Sequence, residues 1–500
     1  MNRRKFFRSA LGVSAAVTLP SFRAFTADTS LADEIQAIKG SGETTRVERA
    51  AVEELRSNLR GRILLPDSDG YEVARRMRNR MIDKRPALIV QCVGAGDVTE
   101  AVNFARHYEL LTAVRCGGHN VAGKGTCDGG IMIDLSPLQG VRVDPIARTA
   151  RVAGGSLLGS MDAECQGFGL VTPSGTVSHT GVGGLTLGGG LGRLARQYGL
   201  AVDNLNAVDI ITADGEFRRA SAEENPDLFW AVRGGGGNFG VVTSFEFALH
   251  PLAHQVVGGT IMFPFSQAKD LLNFYPDYCE KMSDDMYADP VIFAPPGGAG
   301  NMVYFEVCYA GPHRNAERVL EPLRRAGTPI FDGLKAIDYV VLQRSSDDTD
   351  PRGTGQYLKS GFTTEISSEL VDNLVDHLEP HPERGGMAFF QQCGGAIGRV
   401  ASDATAFAHR YANHNLTVGS VWTTGVEDTA PHVRWTRDYW GSVEEFTHGF
   451  YANDEFAVSP TRAQQNYLGN TERLVKVKNK YDPTNLFRLN SNIRPTVGSV

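Results

Sequence analysis

Three clusters of glycine constrain this chain more than any other feature of it. Between Gly175 and Gly190, seven of sixteen residues are glycine, interleaved with hydroxyl side chains. Such a run pays a large ordering entropy and has few side chains to bury, so it is expected to pack as neither a regular helix nor a strand. Its main-chain N–H groups can instead close on an anion without side-chain clash and wrap a phosphate-bearing ligand. A second cluster, Arg115-Cys116-Gly117-Gly118-His119-Asn120, follows a short β-rich run. A third, Gly234 to Gly237, leads into Asn238-Phe239-Gly240-Val241. Each piece alone could be structural punctuation, and a lone histidine is ordinarily a hydrogen-bonded or surface residue. Three such turns in one region favour a large cofactor. The doubly wound dinucleotide fingerprint is not met, because Gly188 to Gly192 fits its spacing only loosely.

At 500 residues the chain exceeds one compact core, so two or more domains, or one large two-lobed unit, are expected. The net charge of −7 comes without a basic stripe, which argues against nucleic acid as a partner. Seven cysteines, an odd number with no CxxC pair, argue against a zinc site or a dense disulfide framework, and no metal is expected. Arg3-Arg4-Lys5-Phe6-Phe7 precedes a weakly apolar run from Ala10 to Leu19 that is too short to span a bilayer. This order predicts a twin-arginine signal peptide over residues 1–27 and export, folded, to the periplasm or beyond. No later segment is long and apolar enough to cross a membrane.

Residues 28–85 read as a helical lead-in with loops. Strands are predicted at Ala87 to Val93, Thr112 to Arg115, Gly130 to Asp134, Val208 to Thr212 and Val241 to Phe247. A helix is predicted over Val98 to His107 with Asp97 as N-cap, and another after Asn225-Pro226. Beyond residue 255, alternating runs at Met302 to Tyr309, Met387 to Gln392 and Leu416 to Thr423 indicate an antiparallel sheet. Ile366, Leu370, Leu374 and Leu378 mark an apolar helix face. The implied organisation is a cofactor domain of residues 28–250, a substrate domain of 255–445, and a C-terminal segment, 446–500, that returns to the first.

In order and spacing, these segments resemble the berberine-bridge-enzyme-like FAD-linked oxidases of the vanillyl-alcohol-oxidase superfamily. Arg115 to His119 matches R-x-G-G-H; Gly199 to Asn204, after the second glycine run, and Arg233 to Gly240 match two further signatures; Tyr481 to Phe487 and Asn490 to Pro495 resemble the family's closing segment. The likeness covers most of the chain after residue 80. It implies an α+β fold: a two-part PCMH-type FAD-binding domain, about 80–252, with an inserted substrate domain of antiparallel sheet covered by helices.

The resemblance also implies FAD, bonded through its 8-methyl carbon to His119. The pattern G-T-C-P, which carries a second, cysteine link in many members, is replaced here by Gly175-Thr176-Val177-Ser178, so a single covalent bond is expected. Flavin contacts are implied for Arg115, Cys116, Gly117, Gly118, His119 and Asn120. Further contacts are implied for Ser174, Gly175, Thr176, Ser178, His179, Gly181, Gly183 and Gly184, and for Val241, Asn490 and Asn492.

The implied chemistry is oxidation of an alcohol-type group on a small molecule such as a sugar, an aromatic alcohol or a secondary metabolite. Hydride passes to flavin, a proton to a nearby base, and electrons onward to dioxygen. A dehydrogenase with another acceptor, or a non-catalytic exported binding protein, are the alternatives. The family's Y-x-N-Y motif appears as Tyr451-Ala452-Asn453-Asp454, so Tyr451 and Asp454 are both candidate bases, with Asp454 reading more readily as a solvated turn residue. Gln392 is a weaker candidate for the pocket wall.

Overall fold

Leu88–Gln91, Ile131–Asp134 and Thr112–Arg115 pair in parallel, and Arg62–Leu64 adds an antiparallel edge, making a four-stranded sheet. In this computed structural model the described residues are 33–347, 352–423, 428–456 and 459–497. The expected signal peptide lies outside them. The helix Ala95–His107 crosses between two of the parallel strands and buries Val98, Ala101, Val102 and Ala105, the face its periodicity predicts. Asp97 is not the N-cap. It lies in the first turn, and its carboxylate accepts from the N–H groups of Val93, Arg60 and Gly61, tying the helix start to the neighbouring chain.

The lead-in differs from expectation. Glu34–Ile38 and Thr44–Glu48 form an antiparallel hairpin ahead of the helix Arg49–Asn58. Both strands are short and half exposed, with Ala37 and Val47 buried against Leu55, so the alternation is too brief to stand out in the sequence.

A second, five-stranded antiparallel sheet follows, in the order Phe217–Ser221, Leu205–Thr212, Gly240–Ala248, Thr149–Ala153, Val141–Asp144. The glycine run contains a correction: Val182–Leu187 is a short helix. Val182 is buried and Leu185 packs beside it one turn on, so two apolar anchors suffice to order six residues between Gly181 and Gly188. Asn225 occupies the predicted N-cap position, in a left-handed conformation, but makes no side-chain cap; its Nδ2 donates to the Arg219 carbonyl.

The third sheet has eight antiparallel strands. Seven run in the order Phe331–Asp332, Val256–Pro264, Met302–Tyr309, Met286–Ala294, Arg384–Gln392, His414–Trp422, Gly355–Thr363, and Lys335–Ile337 also pairs with the second of these. One face carries Phe263, Ile292, Phe305, Phe390 and Val418 against the helices Ala268–Lys281, Ala316–Arg325, Ser368–Asp376 and Ala430–Gly441. Ser367 caps the third helix by accepting from the Leu370 N–H. Because side chains alternate across a strand, the intervening residues point the other way, toward the glycine loops. The C-terminal helix Thr471–Tyr481 returns to the first region. There Lys478 Nζ, fully buried, donates to Asp482 and to the carbonyls of Asn238 and Phe487.

Candidate active site

The glycine loops and the free face of the eight-stranded sheet enclose a cavity of about 930 Å³. This is at the upper end of the roughly 300–1,000 Å³ typical of ligand pockets. The loop after strand Thr112–Arg115 meets the second glycine run backbone to backbone. A Cβ on Gly117 would lie 2.3 Å from Gly181 N, and one on Gly181 would lie 2.3 Å from Gly117 N. Gly118 turns with φ +70°, a conformation open to glycine at little cost. At Gly184 a Cβ would meet nothing within 4 Å, so this backbone faces open space in the cavity wall. Two side-chain-free loops in contact, bordering a large cavity, are what a dinucleotide's diphosphate requires. Gly181→Ala is accordingly expected to push the loops apart and yield protein with little flavin absorbance per mole after purification, read against wild type by visible spectroscopy.

Of the residues named from sequence, Arg115, Cys116, Gly117, Gly118, His119 and Asn120 all line the cavity. So do Gly175, Thr176, Gly181, Gly183 and Gly184, together with Val241 and Asn490. Four others stand behind this wall. Ser174 Oγ donates to buried Asp162 at 3.0 Å; Ser178 is held through its N–H and hydroxyl by Asp347; His179 backs His119; Asn492 carries a buried Oδ1 with no hydrogen-bond partner among the described residues.

His119 is held at both ring nitrogens, with Nε2 2.6 Å from His179 Nδ1 and Nδ1 3.2 Å from Thr180 Oγ1. Burial, reinforced by the positive charge of Arg78, holds its pKa well below the ordinary histidine value. The ring is therefore neutral at physiological pH, with a lone pair to offer. Val177 also lines the cavity.

Tyr451 is buried, and its hydroxyl oxygen accepts from three donors: Gly190 N at 3.1 Å, Leu191 N at 3.2 Å and Asn453 Nδ2 at 2.9 Å. Three donors on one phenol oxygen suit the anion better than the neutral group. Burial nonetheless pushes its pKa up to about 12, with Asp454 adding to the rise and the two backbone donors and Asn453 opposing it. Asp454 lies in a turn, its N–H donating to the Tyr451 carbonyl at 3.1 Å, but it is not fully solvated. It is half-buried in the cavity wall, where Asn415 Nδ2 approaches its carboxylate at 3.3 Å.

Gln392 does not face the cavity. Its amide turns to the helix side, accepting from Ala288 N at 2.9 Å and donating to Cys279 Sγ, while the adjacent Gln391 lines the pocket. Sequence reasoning also missed Arg193, fully buried, which donates to Thr176 O, Gln343 Oε1 and Ser346 Oγ and pairs with Glu306 at 3.3 Å. It missed Asp289, which burial pushes up to about 8 and which accepts from Tyr287 Oη and Gln392 N. The signal available was a lone acid inside each of two apolar strands.

Comparison with known proteins identifies the family. A model of the FAD binding domain family matches residues 86–221, and one described as berberine and berberine like matches 450–494. An FAD-linked oxidoreductase of Dictyostelium discoideum is 32% identical over 89% of this chain and 97% of its own length. The chain belongs to the berberine-bridge-enzyme-like FAD-linked oxidoreductases. This oxidoreductase is similar in structure to 6-hydroxy-D-nicotine oxidase from Arthrobacter nicotinovorans, with a TM-score of 0.81 and 28% identity, covering 87% of this chain and 98% of that one. It is also similar to a glucooligosaccharide oxidase of Acremonium strictum whose crystal structure revealed a novel flavinylation, with a TM-score of 0.79, 25% identity, and coverage of 90% and 98%. The fold is thus the α+β PCMH-type arrangement that the sequence resemblance implies. Among the described residues, no helix of the oxidoreductase is long and apolar enough to cross a membrane.

Proposed function

We propose that this oxidoreductase removes a hydride and a proton from an alcohol-type carbon of a small molecule, holds its FAD by one covalent bond at His119, and is reoxidised by dioxygen. The observation that carries the reading is the placement of Tyr451. Its oxygen, surrounded by N–H donors, lies in the wall of the same cavity that His119 and the glycine loops border. Bound FAD would supply a two-electron acceptor there. The glycine loops would hold its diphosphate by main-chain groups. The neutral His119 ring is the nucleophile suited to the covalent anchor, and Val177 offers no thiol for a second. Tyr451 is the proton acceptor for the substrate hydroxyl, with its anion steadied by Gly190, Leu191 and Asn453. The similarity to two oxidases supports dioxygen as acceptor.

The test is anaerobic reduction followed by air. Flavin bleached by substrate under argon should recover its yellow colour on aeration as fast as steady-state turnover, with hydrogen peroxide formed. Recovery that is slow with air but rapid with a quinone would instead make the enzyme a dehydrogenase. Colourless purified protein would make it a binding protein.

A further inference from the structure

The sheet face that closes the cavity is sorted from polar to apolar along its strands. In one row across the sheet, Thr260 stands opposite Glu306, and Glu306 opposite Asp289. Gln391 lies level with them: Gln392 N, next along its strand, donates to Asp289 Oδ1 at 2.9 Å, and Asn415 stands opposite Gln391. This polar row reaches the turn that carries the proposed base, because Asn415 Nδ2 reaches both Gln391 Oε1, at 2.9 Å, and Asp454 Oδ2, and the Asp454 N–H donates to the Tyr451 carbonyl at 3.1 Å. Two residues along, Val291 is opposite Tyr304 and Phe389, with Met262 beyond Tyr304. Two residues further, Phe293 is opposite Met302 and Met387. All these side chains except Asn415 line the cavity.

From Asp289 to Phe293 is about 13 Å, at roughly 3.3 Å per residue of strand. Over that span the hydrogen-bonding capacity of the wall falls from four side chains to none. An oligosaccharide laid along it would leave hydroxyls at its far end without partners in the wall, which weakens its binding. An apolar ring would instead be buried, and methionine side chains adapt to irregular apolar shapes. Glu306 is occupied by Arg193, and Asp289 by Tyr287, so the polar row presents a limited set of partners, enough for one functional group.

We infer that the substrate is a one-ended amphiphile. Its reacting alcohol-type group sits at the Asp289–Glu306–Gln391 row beside Tyr451, and a ring-sized apolar body lies against Phe293, Met302 and Met387. An apolar-bodied alcohol is therefore preferred over an oligosaccharide. The inference rests on the proposed oxidation at Tyr451.

The experiment uses flavin-loaded enzyme, checked by its visible spectrum, titrated under argon with benzyl alcohol, cinnamyl alcohol, naphthylmethanol and xylobiose. Perturbation or bleaching of the flavin spectrum reports binding. Tighter half-saturation from benzyl alcohol to naphthylmethanol, by about tenfold, with no response to xylobiose, is the expected result. Phe293→Ser and, on the paired strand, Met302→Gln should each abolish most of that gain and retain flavin as evidence of folding. A tighter response to xylobiose, equal responses across the alcohols, or silence from all four probes with flavin bound would overturn the inference while leaving the FAD reading intact. Wild-type protein without flavin would overturn both.

Discussion

The His119→Ala protein is expected to run on a denaturing gel without flavin fluorescence, its yellow cofactor released into the supernatant on acid precipitation, where wild type keeps a fluorescent band. The argument is geometric before it is electrostatic. The imidazole is clamped by His179 at one nitrogen and Thr180 at the other, and the loop that carries it is locked against Gly181. A ring so constrained presents one orientation to the cavity, and burial keeps it uncharged. Attachment during reconstitution with FAD should therefore vary little between about pH 6 and about pH 8, where an ordinary histidine would lose nucleophile through protonation at the acidic end. Turnover of the alanine variant should fall by about a hundredfold, the scale of loss when a reacting centre is misplaced by about an ångström. A fluorescent band that persists in the variant would refute the assignment of the anchor.

The parts of this molecule legible in sequence are those where backbone geometry leaves little choice. Gly117, Gly118 and Gly181 tolerate no side chain without moving main chain or adopting a strained φ, so the loops announced themselves. Some long strands were legible because alternation over eight or nine residues is hard to mistake, and Met302–Tyr309 has the bounds its pattern predicts; Val256–Pro264, Met286–Ala294 and Gly355–Thr363, equally long, went unread. What was hidden depends on parity and partners. Gln391 and Gln392 are chemically identical, and only the register with Asn415 and His414 decides which one reaches the cavity. A slip of one residue exchanges the two faces. Asp289 and Glu306 are isolated acids in apolar runs, and their meaning appears only when adjacent strands set them side by side. Arg193 sits among glycines, where nothing local reveals that it bridges Thr176, Gln343 and Glu306. The hairpin at residues 34–48 escaped because five-residue, half-exposed strands carry too little periodicity.

Replacing Tyr451 by Phe is expected to lower kcat/KM by about 10²- to 10⁴-fold, the usual worth of a positioned acid–base group, with flavin content unchanged. Asp454→Asn separates the two candidate bases more sharply. The Asp454 carboxylate is one of the causes that raise the Tyr451 pKa to about 12, so removing its charge lowers that pKa. A base far above ambient pH is a scarce anion whose population grows about tenfold with each pH unit. If Tyr451 takes the proton, wild-type kcat/KM climbs with pH through the neutral range. The Asp454→Asn enzyme follows the same climb displaced toward lower pH, and is therefore more active than wild type at neutral pH. If Asp454 takes the proton, the same substitution abolishes turnover at every pH while Tyr451→Phe is mild. The three donors on the Tyr451 oxygen favour the first outcome, because Gly190 N, Leu191 N and Asn453 Nδ2 all stabilise the anion. The approach of Asn415 Nδ2 to the Asp454 carboxylate, at 3.3 Å, is longer than any of these three. Stopped-flow flavin reduction, measured across pH for wild type and both variants, reads the difference directly, since it isolates the step in which the substrate proton leaves.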